Sequence, residues 1–214
     1  MIKRDLEKIL LFDLGNILVR LNSVNEIWTG TDPSLPRDLP ELDQLWSRSQ
    51  AVVDYETGRI RSLPAFYTAV GKEVPIAVSE DEFYRIFNQA IGDTFPETHA
   101  MLALLQDRYR LFLLSNTSRE HWAICRDALH LDGYFTKTFL SYDMGIMKPD
   151  PASYQIAIDG IGVDPENIWY YDDRAENVYG AINKGINAHI SFGGITLIND
   201  LRKHGFIGSD ELCS

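Results

Sequence analysis

Hydrophobic residues along the chain form short unbroken runs, separated by longer stretches in which they recur every three or four positions. The unbroken runs are rich in Leu, Ile, Phe and Tyr, which is typical of strands buried on both faces of a parallel sheet. This pattern predicts four strands and one shorter candidate, at 8–13, 109–115, 167–173, 187–192 and 137–141 respectively.

The stretches between these runs have the spacing of amphipathic helices. Predicted helices lie at 97–108, 119–129, 151–161 and 175–185. Strands and helices that alternate along a chain form right-handed crossovers, so we expect an α/β fold with a doubly wound parallel sheet.

One long interval, from about Asn22 to about Thr94, contains no convincing strand. It holds a proline-rich piece at 31–43 and amphipathic stretches at 63–74 and 79–92. We interpret it as a helical insertion near the carboxyl edge of the sheet, where ligands of open α/β sheets bind. The predicted domains are therefore a core of residues 1–21 and 95–214 and an inserted helical domain of residues 22–94. That these helices merely extend the core remains an alternative.

Composition and charge exclude several classes of protein and of binding partner. The chain has 214 residues, 45% of them hydrophobic, enough for one sizeable core and a small subdomain. A formal charge of −11 argues against nucleic acid and anionic membranes as partners. Two cysteines are too few for a disulfide framework, and no apolar run approaches the roughly 20 residues of a membrane span. We expect a cytoplasmic protein, and the sequence predicts no oligomeric state.

Polar side chains stand where three predicted strands end. Asp13 follows the first strand, Ser115 and Asn116 the second, and Asp172 and Asp173 the third. The carboxyl ends of parallel strands meet at one edge of a sheet, so these groups should share a crevice. Carboxylates brought together repel one another unless a cation lies between them, and Mg²⁺ prefers such oxygen ligands.

A lysine completes this set of groups. Lys148 precedes Pro149, which fixes the backbone and opens a helix. A magnesium ion, a free carboxylate, a lysine and a hydroxyl with amide donors can together hold a phosphoryl group.

These parts predict a division of roles. Asp13 would be the nucleophile that forms an aspartyl-phosphate, and Lys148 would neutralise charge on it and on the phosphate. Ser115, Asn116 and nearby backbone N–H groups would bind phosphoryl oxygens. Asp173, with Asp172 as a further candidate, would ligate the metal together with Asp13.

Each of these residues also has an ordinary structural interpretation. Asp13 can cap a turn, and Ser115 and Asn116 can cap the following helix. Lys148 can be a solvated surface charge, and Asp172 and Asp173 can be an acidic helix start.

Four segments in order strengthen the catalytic interpretation: "FDLGN" (12–16), "LLSNT" (113–117), "KPDPASY" (148–154) and "YYDDRAENV" (170–178). Together they resemble the four motifs of the haloacid dehalogenase superfamily of hydrolases, in the branch with a helical cap after the first motif. The resemblance covers nearly the whole chain. It implies a Rossmann-like core plus cap and Mg²⁺-dependent phosphatase or phosphomutase chemistry, with a minority of dehalogenases.

The chain departs from that pattern at Gly15. Phosphatases of the family usually carry there a second aspartate, which acts as general acid and base and offers its main-chain carbonyl to the metal. Gly15 keeps the carbonyl but has no proton to give, and general acid help is typically worth about 10² to 10⁴ in rate. His121 is one alternative donor. In the inserted segment, Asp54 and Glu56 are plausible contacts for substrate hydroxyls or ordinary loop residues.

Three functions therefore remain open. The expected one is a Mg²⁺-dependent phosphatase of a small phosphorylated metabolite, and sugar phosphates are one option because a related "DLGN" motif occurs in family members of that kind. A metal-independent 2-haloacid dehalogenase is the second, since dehalogenases also lack the second acid. The third is a non-catalytic module that binds a phosphorylated ligand.

Overall fold

The central feature of the fold is a sheet of five parallel strands. The computed structural model describes residues 7–23, 27, 40–74 and 78–212. The sheet strands, in chain order, are β1 (Ile9–Phe12), β4 (Arg110–Ser115), β5 (Lys137–Leu140), β6 (Ile168–Asp172) and β7 (Asn187–Ile190). Their spatial order is β5-β4-β1-β6-β7. The predicted α/β class and all five predicted strands are confirmed.

β1 lies at the centre of this sheet and is buried on both faces. Leu10 and Phe12 pack into one hydrophobic cluster, and Ile9 and Leu11 pack into another on the opposite face. Alternate residues of a strand point to opposite faces, so a run without polar residues places apolar side chains in both layers. This explains why the strand reads as continuous hydrophobic sequence.

Helices cover both faces of the sheet: α5 (Thr98–Gln106), α6 (Arg119–Ala123), α7 (Ser141–Met144), α8 (Pro151–Ile161), α9 (Ala175–Ile182) and α10 (Ile195–Lys203). A π-helical turn at Ile124–Ala128 continues α6, and short 3₁₀ turns lie at Asp132–Tyr134 and Pro165–Asn167. Asp150 caps α8 by accepting a hydrogen bond from the Ala152 amide, and Pro151 occupies the first turn.

Four further helices form a separate group, here called the helical unit: α1 (Pro40–Arg48), α2 (Gln50–Glu56), α3 (Leu63–Val70) and α4 (Glu80–Asn88). Serine side chains cap α2, α3 and α4 at their amino ends. The helices pack around a hydrophobic cluster of their own, rich in aromatic rings such as Tyr55, Phe66, Phe83 and Phe87.

The prediction that 22–94 contains no strand is wrong at its carboxyl end. β3 (Ile91–Thr94) pairs antiparallel with β2 (Val19–Leu21), and the pair forms a two-stranded ribbon. β3 is partly exposed and contains a glycine and an aspartate, so it lacks the apolar run by which strands were found. Part of the proline-rich piece, 31–39, lies outside the described residues. No helix in the described part of the chain is long and apolar enough to cross a membrane.

Candidate functional site

The candidate site is built at the carboxyl edge of the sheet, where three neighbouring strands end. Asp13 directly follows β1, and its amide continues the ladder by donating to the Tyr171 carbonyl at 2.9 Å. Ser115 is the last residue of β4 and Asp172 the last of β6. Because β1 lies between β4 and β6, the three strand-end residues come together as predicted.

Lys148 lies at the centre of the hydrogen bonds of the site. Its ammonium lies 2.7 Å from Asp13 Oδ1, 2.7 Å from Asp172 Oδ2, 2.7 Å from the Tyr170 hydroxyl and 2.9 Å from the Leu114 carbonyl. Only 2% of the residue is exposed, so it is not a solvated surface charge. A buried ammonium is stabilised only when oxygen partners surround it, and here it has four.

The backbone of Lys148 is fixed by Asn116. The Asn116 side-chain amide donates to the Lys148 carbonyl at 2.8 Å, and its oxygen accepts from the Lys148 amide at 2.8 Å. The predicted substrate-binding side chain of Asn116 is therefore used to position the loop. Substrate binding by Ser115 and by the backbone near Asn116 stays a prediction; both residues line the site cavity.

Asp172 is fully buried and held on all sides. Both of its oxygens accept from the Asn177 side-chain amide at 3.0 Å, Oδ1 accepts from the Arg174 amide at 2.8 Å, and the Tyr170 hydroxyl donates to Oδ2. Together with its ion pair to Lys148, these contacts occupy both oxygens. The arrangement favours a role in positioning Lys148 over the predicted role in metal binding.

Burial and neighbouring charges shift the pKa values of the ionisable groups in the site. Burial lowers the pKa of Lys148, but the Asp13 and Asp172 carboxylates outweigh this effect and the net pKa is raised. Burial raises the pKa of Asp172, but Lys148 outweighs it and the net pKa is lowered. Burial raises the pKa of Asp13 to about 7, against the opposing charge of Lys148. Burial likewise raises the pKa of Asp173, against a hydrogen bond from Asn16.

Three carboxylates form an acidic group that suits a cation. One oxygen from each of Asp13, Asp172 and Asp173 lies within 4.8 Å of the others. Among the described residues, these three form the cluster of acidic side chains that could hold a metal ion. In the part of the chain that the structure describes, the Lys148 ammonium pairs with two of these three carboxylates, so the cluster has an excess of negative charge. Hard carboxylate oxygens are the donors that Mg²⁺ prefers, and Gly15 lines the same cavity, so the residues fit the ion.

A cavity of about 480 Å³ opens above this edge of the sheet. The sheet side contributes the predicted residues Asp13, Gly15, Ser115, Asn116, Lys148 and Asp173. The helical unit contributes Asp43, Trp46 and Glu56, and the β2–β3 ribbon contributes Leu21 and Ile91. All three parts of the protein therefore border the cavity.

His121, the alternative donor named from sequence, also lines the cavity but is poorly suited to give a proton. Its Nε2 is 2.8 Å from the Phe87 carbonyl, and its ring stacks on the Phe87 ring. Burial lowers the pKa of His121, which keeps the imidazole neutral at neutral pH.

Three contributors were missed from sequence as parts of the site. Tyr170 accepts a hydrogen bond from Lys148, but it lies within β6, where its sequence position is typical of a core aromatic residue. The side chain of Asn16 donates to Asp173 Oδ2 at 3.0 Å. Asn16 has a positive φ of 55°, and asparagine is among the few residues that adopt that conformation readily. For Glu56 the sequence predicts only a plausible contact with substrate hydroxyls, because its place in the cavity wall depends on how the helical unit packs.

Comparison with known proteins agrees with this geometry. A family model described as haloacid dehalogenase-like hydrolase matches residues 7–185. Flavin mononucleotide hydrolase 1 of Arabidopsis thaliana is 35% identical over 82 residues, 38% of this chain and 34% of the relative. The (S)-2-haloacid dehalogenase 4A of Burkholderia cepacia is 31% identical over 94 residues, 44% of this chain and 41% of the relative. The alignments thus span well under half of each of these relatives.

A solved structure is similar over a greater length. A haloacid dehalogenase family enzyme from Bacteroides thetaiotaomicron, in complex with magnesium and inorganic phosphate, superposes with a TM-score of 0.72 and 26% identity. The superposition covers 87% of this chain and 95% of that one. From the match over most of its length and from this likeness, the chain belongs to the haloacid dehalogenase-like hydrolase family.

Proposed function

We propose that the protein is a Mg²⁺-dependent phosphatase of a small phosphorylated metabolite, with sugar phosphates as one candidate class. The observation that carries the proposal is the buried Lys148 ammonium 2.7 Å from the Asp13 carboxylate, in the wall of a cavity that Asp173 also lines. The similar Bacteroides enzyme, whose structure contains magnesium and phosphate, supports the same chemistry.

In the proposed reaction Asp13 is the nucleophile. Lys148 holds Asp13 by Oδ1, so we assign the attack on phosphorus to the other oxygen. The new bond gives an aspartyl-phosphate as the bond to the leaving-group oxygen breaks, and water then cleaves the intermediate and restores Asp13. Ser115 and neighbouring backbone amides would bind the phosphoryl oxygens.

Asp13, the Gly15 carbonyl and Asp173 would hold the metal ion. When bound, Mg²⁺ supplies positive charge that offsets the carboxylates and the phosphoryl oxygens. Asn16 orients Asp173 through its hydrogen bond to Oδ2. Asp172, whose oxygens are already occupied, would act through Lys148.

We further propose that residues 22–94 form a cap that supplies substrate specificity. The helical unit has a hydrophobic cluster separate from the two clusters that flank the sheet. Its residues Trp46 and Glu56 form part of the cavity wall. The ribbon of β2 and β3 joins the two parts, so the chain leaves and re-enters the core side by side.

A 2-haloacid dehalogenase is the second candidate, favoured by the glycine at position 15 and by the Burkholderia relative. Three clustered carboxylates argue against it, because a departing halide needs no cation and gains nothing from excess negative charge. Halide release from a 2-haloacid would distinguish it. A binding module would instead bind phosphate esters without forming product.

A panel of phosphomonoesters assayed with Mg²⁺ and with EDTA tests the proposal. We expect phosphate release that requires Mg²⁺ and that disappears in Asp13→Asn. Asp107→Asn, an exposed carboxylate at the end of α5, is the matched control and should keep full activity. Hydrolysis unchanged by EDTA, or retained in Asp13→Asn, would contradict the proposal.

A further inference from the structure

Glu56, the last residue of α2, adds an acidic residue to the site cavity from the helical unit. Whereas the acidic group belongs to the sheet, Glu56 belongs to the part of the cavity wall that the helical unit contributes. Within the described part of the chain, no residue donates a hydrogen bond to it. A carboxyl group in a cavity wall without a protein partner is available to a ligand.

The surroundings of Glu56 favour its protonated form. It also borders a small side cavity of about 50 Å³, walled by apolar and aromatic groups that include Trp46, Ile86 and Phe87. Burial there raises the pKa of Glu56 to about 7, and the charge of Arg174 opposes this effect. Near neutral pH a large fraction of Glu56 therefore carries a proton.

Contacts on either side of Glu56 in sequence fix its position over the sheet. The preceding residue, Tyr55, donates from its hydroxyl to Glu120 on α6 at 2.5 Å. Two residues further on, Gly58 packs against the backbone carbonyl of Tyr142 on α7. The carboxyl end of α2 is thus attached to the α/β core at two points.

Three other positions in the described cavity wall are unsuitable as proton donors. Gly15 has no side chain, the Nε2 of His121 is engaged with a backbone carbonyl, and Lys148 is held by four oxygens. Titratable or charged groups on Glu56's own helix and on elements packed near it include Asp43 and Arg48 on α1, Asp54 and Tyr55 on α2, Tyr67 on α3, Arg119, Glu120 and His121 on α6, Tyr142 and Asp143 on α7, and Asp173 and Arg174 after β6.

We propose that Glu56 is the general acid that protonates the leaving group, in place of the aspartate absent at Gly15; this rests on the phosphatase function proposed above. As the bond from phosphorus to the ester oxygen breaks, its electron pair stays on that oxygen, which takes the Glu56 proton and departs as an alcohol. Water then occupies the vacated position. It attacks phosphorus and gives a proton to the Glu56 carboxylate, while the electron pair of the acyl-phosphate bond returns to Asp13.

Leaving-group dependence tests this role. Hydrolysis of 4-nitrophenyl phosphate needs little proton donation, whereas phenyl phosphate, with a more basic leaving group, needs more. In Glu56→Gln we expect kcat/KM for phenyl phosphate to fall by about 10² or more, while that for 4-nitrophenyl phosphate changes by less than about threefold. For the wild type, kcat/KM for phenyl phosphate should fall above pH 7 as Glu56 ionises, and Glu56→Gln should lack this limb.

Two variants separate proton donation from a structural role. Asp81→Asn, an exposed carboxylate in the first turn of α4 of the same helical unit, should leave both substrates unaffected. Glu56→Asp keeps an acid on a shorter side chain and should recover part of the phenyl phosphate activity. Equal losses for the two substrates in Glu56→Gln, or persistence of the pH limb, would overturn the role of Glu56 but leave the phosphatase intact. Failure of the wild type to hydrolyse either ester would overturn the phosphatase proposal instead.

Discussion

At the scale of single residues, the space beside Gly15 is already filled. A Cβ atom added to Gly15 would lie 2.5 Å from Leu21 Cδ1 and 3.0 Å from Leu21 Cγ. Leu21 belongs to β2 and is 45% exposed, so its side chain has room to turn away. The departure from the family pattern at position 15 is thus accompanied by a bulky neighbour, and an acid restored there requires the Leu21 side chain to turn away or to be shortened.

This geometry predicts a rescue. In the Glu56→Gln background, the pair Gly15→Asp and Leu21→Ala should raise kcat/KM for phenyl phosphate by at least about tenfold, because a new general acid replaces the lost one. In the wild-type background the same pair should give little gain. Leu21→Ala alone is the control. An equal gain in both backgrounds would show that Glu56 and residue 15 do not share one role.

A second residue-scale prediction concerns Lys148. Lys148→Met leaves the buried Asp13 and Asp172 without their common counter-ion, so the free energy of unfolding should fall by about 3–5 kcal/mol. Urea unfolding measures this. Lys72→Met, at an exposed position of the helical unit, should change stability by less than about 0.5 kcal/mol. A loss in Lys148→Met as small as that of the control would contradict the importance of the buried pair.

Residues of the candidate site were predictable where they stand at strand ends. Asp13, Ser115 and Asp172 interrupt apolar runs, and the parallel sheet brings such positions together without further information. Tyr170 and Glu56 could not be assigned in this way. Tyr170 is one of several aromatics in a buried strand, and Glu56 reaches the cavity only because helices far from the sheet in sequence pack above it.

At the scale of elements, the carboxyl end of α2 depends on one glycine. Gly58 has a φ of +71°, and a Cβ there would lie 2.4 Å from the Tyr142 carbonyl oxygen, a backbone atom. Gly58→Ala should lower the free energy of unfolding by about 1–3 kcal/mol, measured in urea. Gly133→Ala, with open space around the added Cβ, is the control and should stay within about 0.5 kcal/mol. Equal effects would argue against a tight junction between α2 and α7.

The helices and strands differ in how well the sequence predicts them. The five sheet strands are apolar runs, so hydrophobic pattern alone identifies them. β3 was missed because pairing with β2, about 70 residues earlier, stabilises it instead of burial of its own side chains. α10 was also not predicted, although its buried Leu197, Ile198 and Leu201 have helical spacing. That signal was present in the sequence.

At the scale of the whole molecule, the proposed function requires an acidic protein to bind an anionic substrate. The net charge of −11 opposes the approach of a phosphate ester, so local positive charge at the cavity has to overcome it. Lys148 is already paired with two carboxylates. Under the proposed function, a bound cation would supply the positive charge that phosphate binding needs.

Metal binding should then stabilise the folded protein. A ligand at 100 times its Kd adds about 2.7 kcal/mol to the free energy of unfolding, so saturating Mg²⁺ should raise Tm measurably. In Asp173→Asn most of this rise should disappear. Asp107→Asn should keep it. A Tm shift of the same size in Asp173→Asn would place the cation elsewhere.

The most direct test of the central claim is a crystal structure of the protein with Mg²⁺ and beryllium trifluoride, a mimic of an aspartyl-phosphate. We expect beryllium bonded to an oxygen of Asp13, Lys148 and Ser115 in contact with the fluorides, and Mg²⁺ held by Asp13, the Gly15 carbonyl and Asp173. Beryllium trifluoride bound to another residue, or absent while Mg²⁺ lies away from Asp13 and Asp173, would contradict the account.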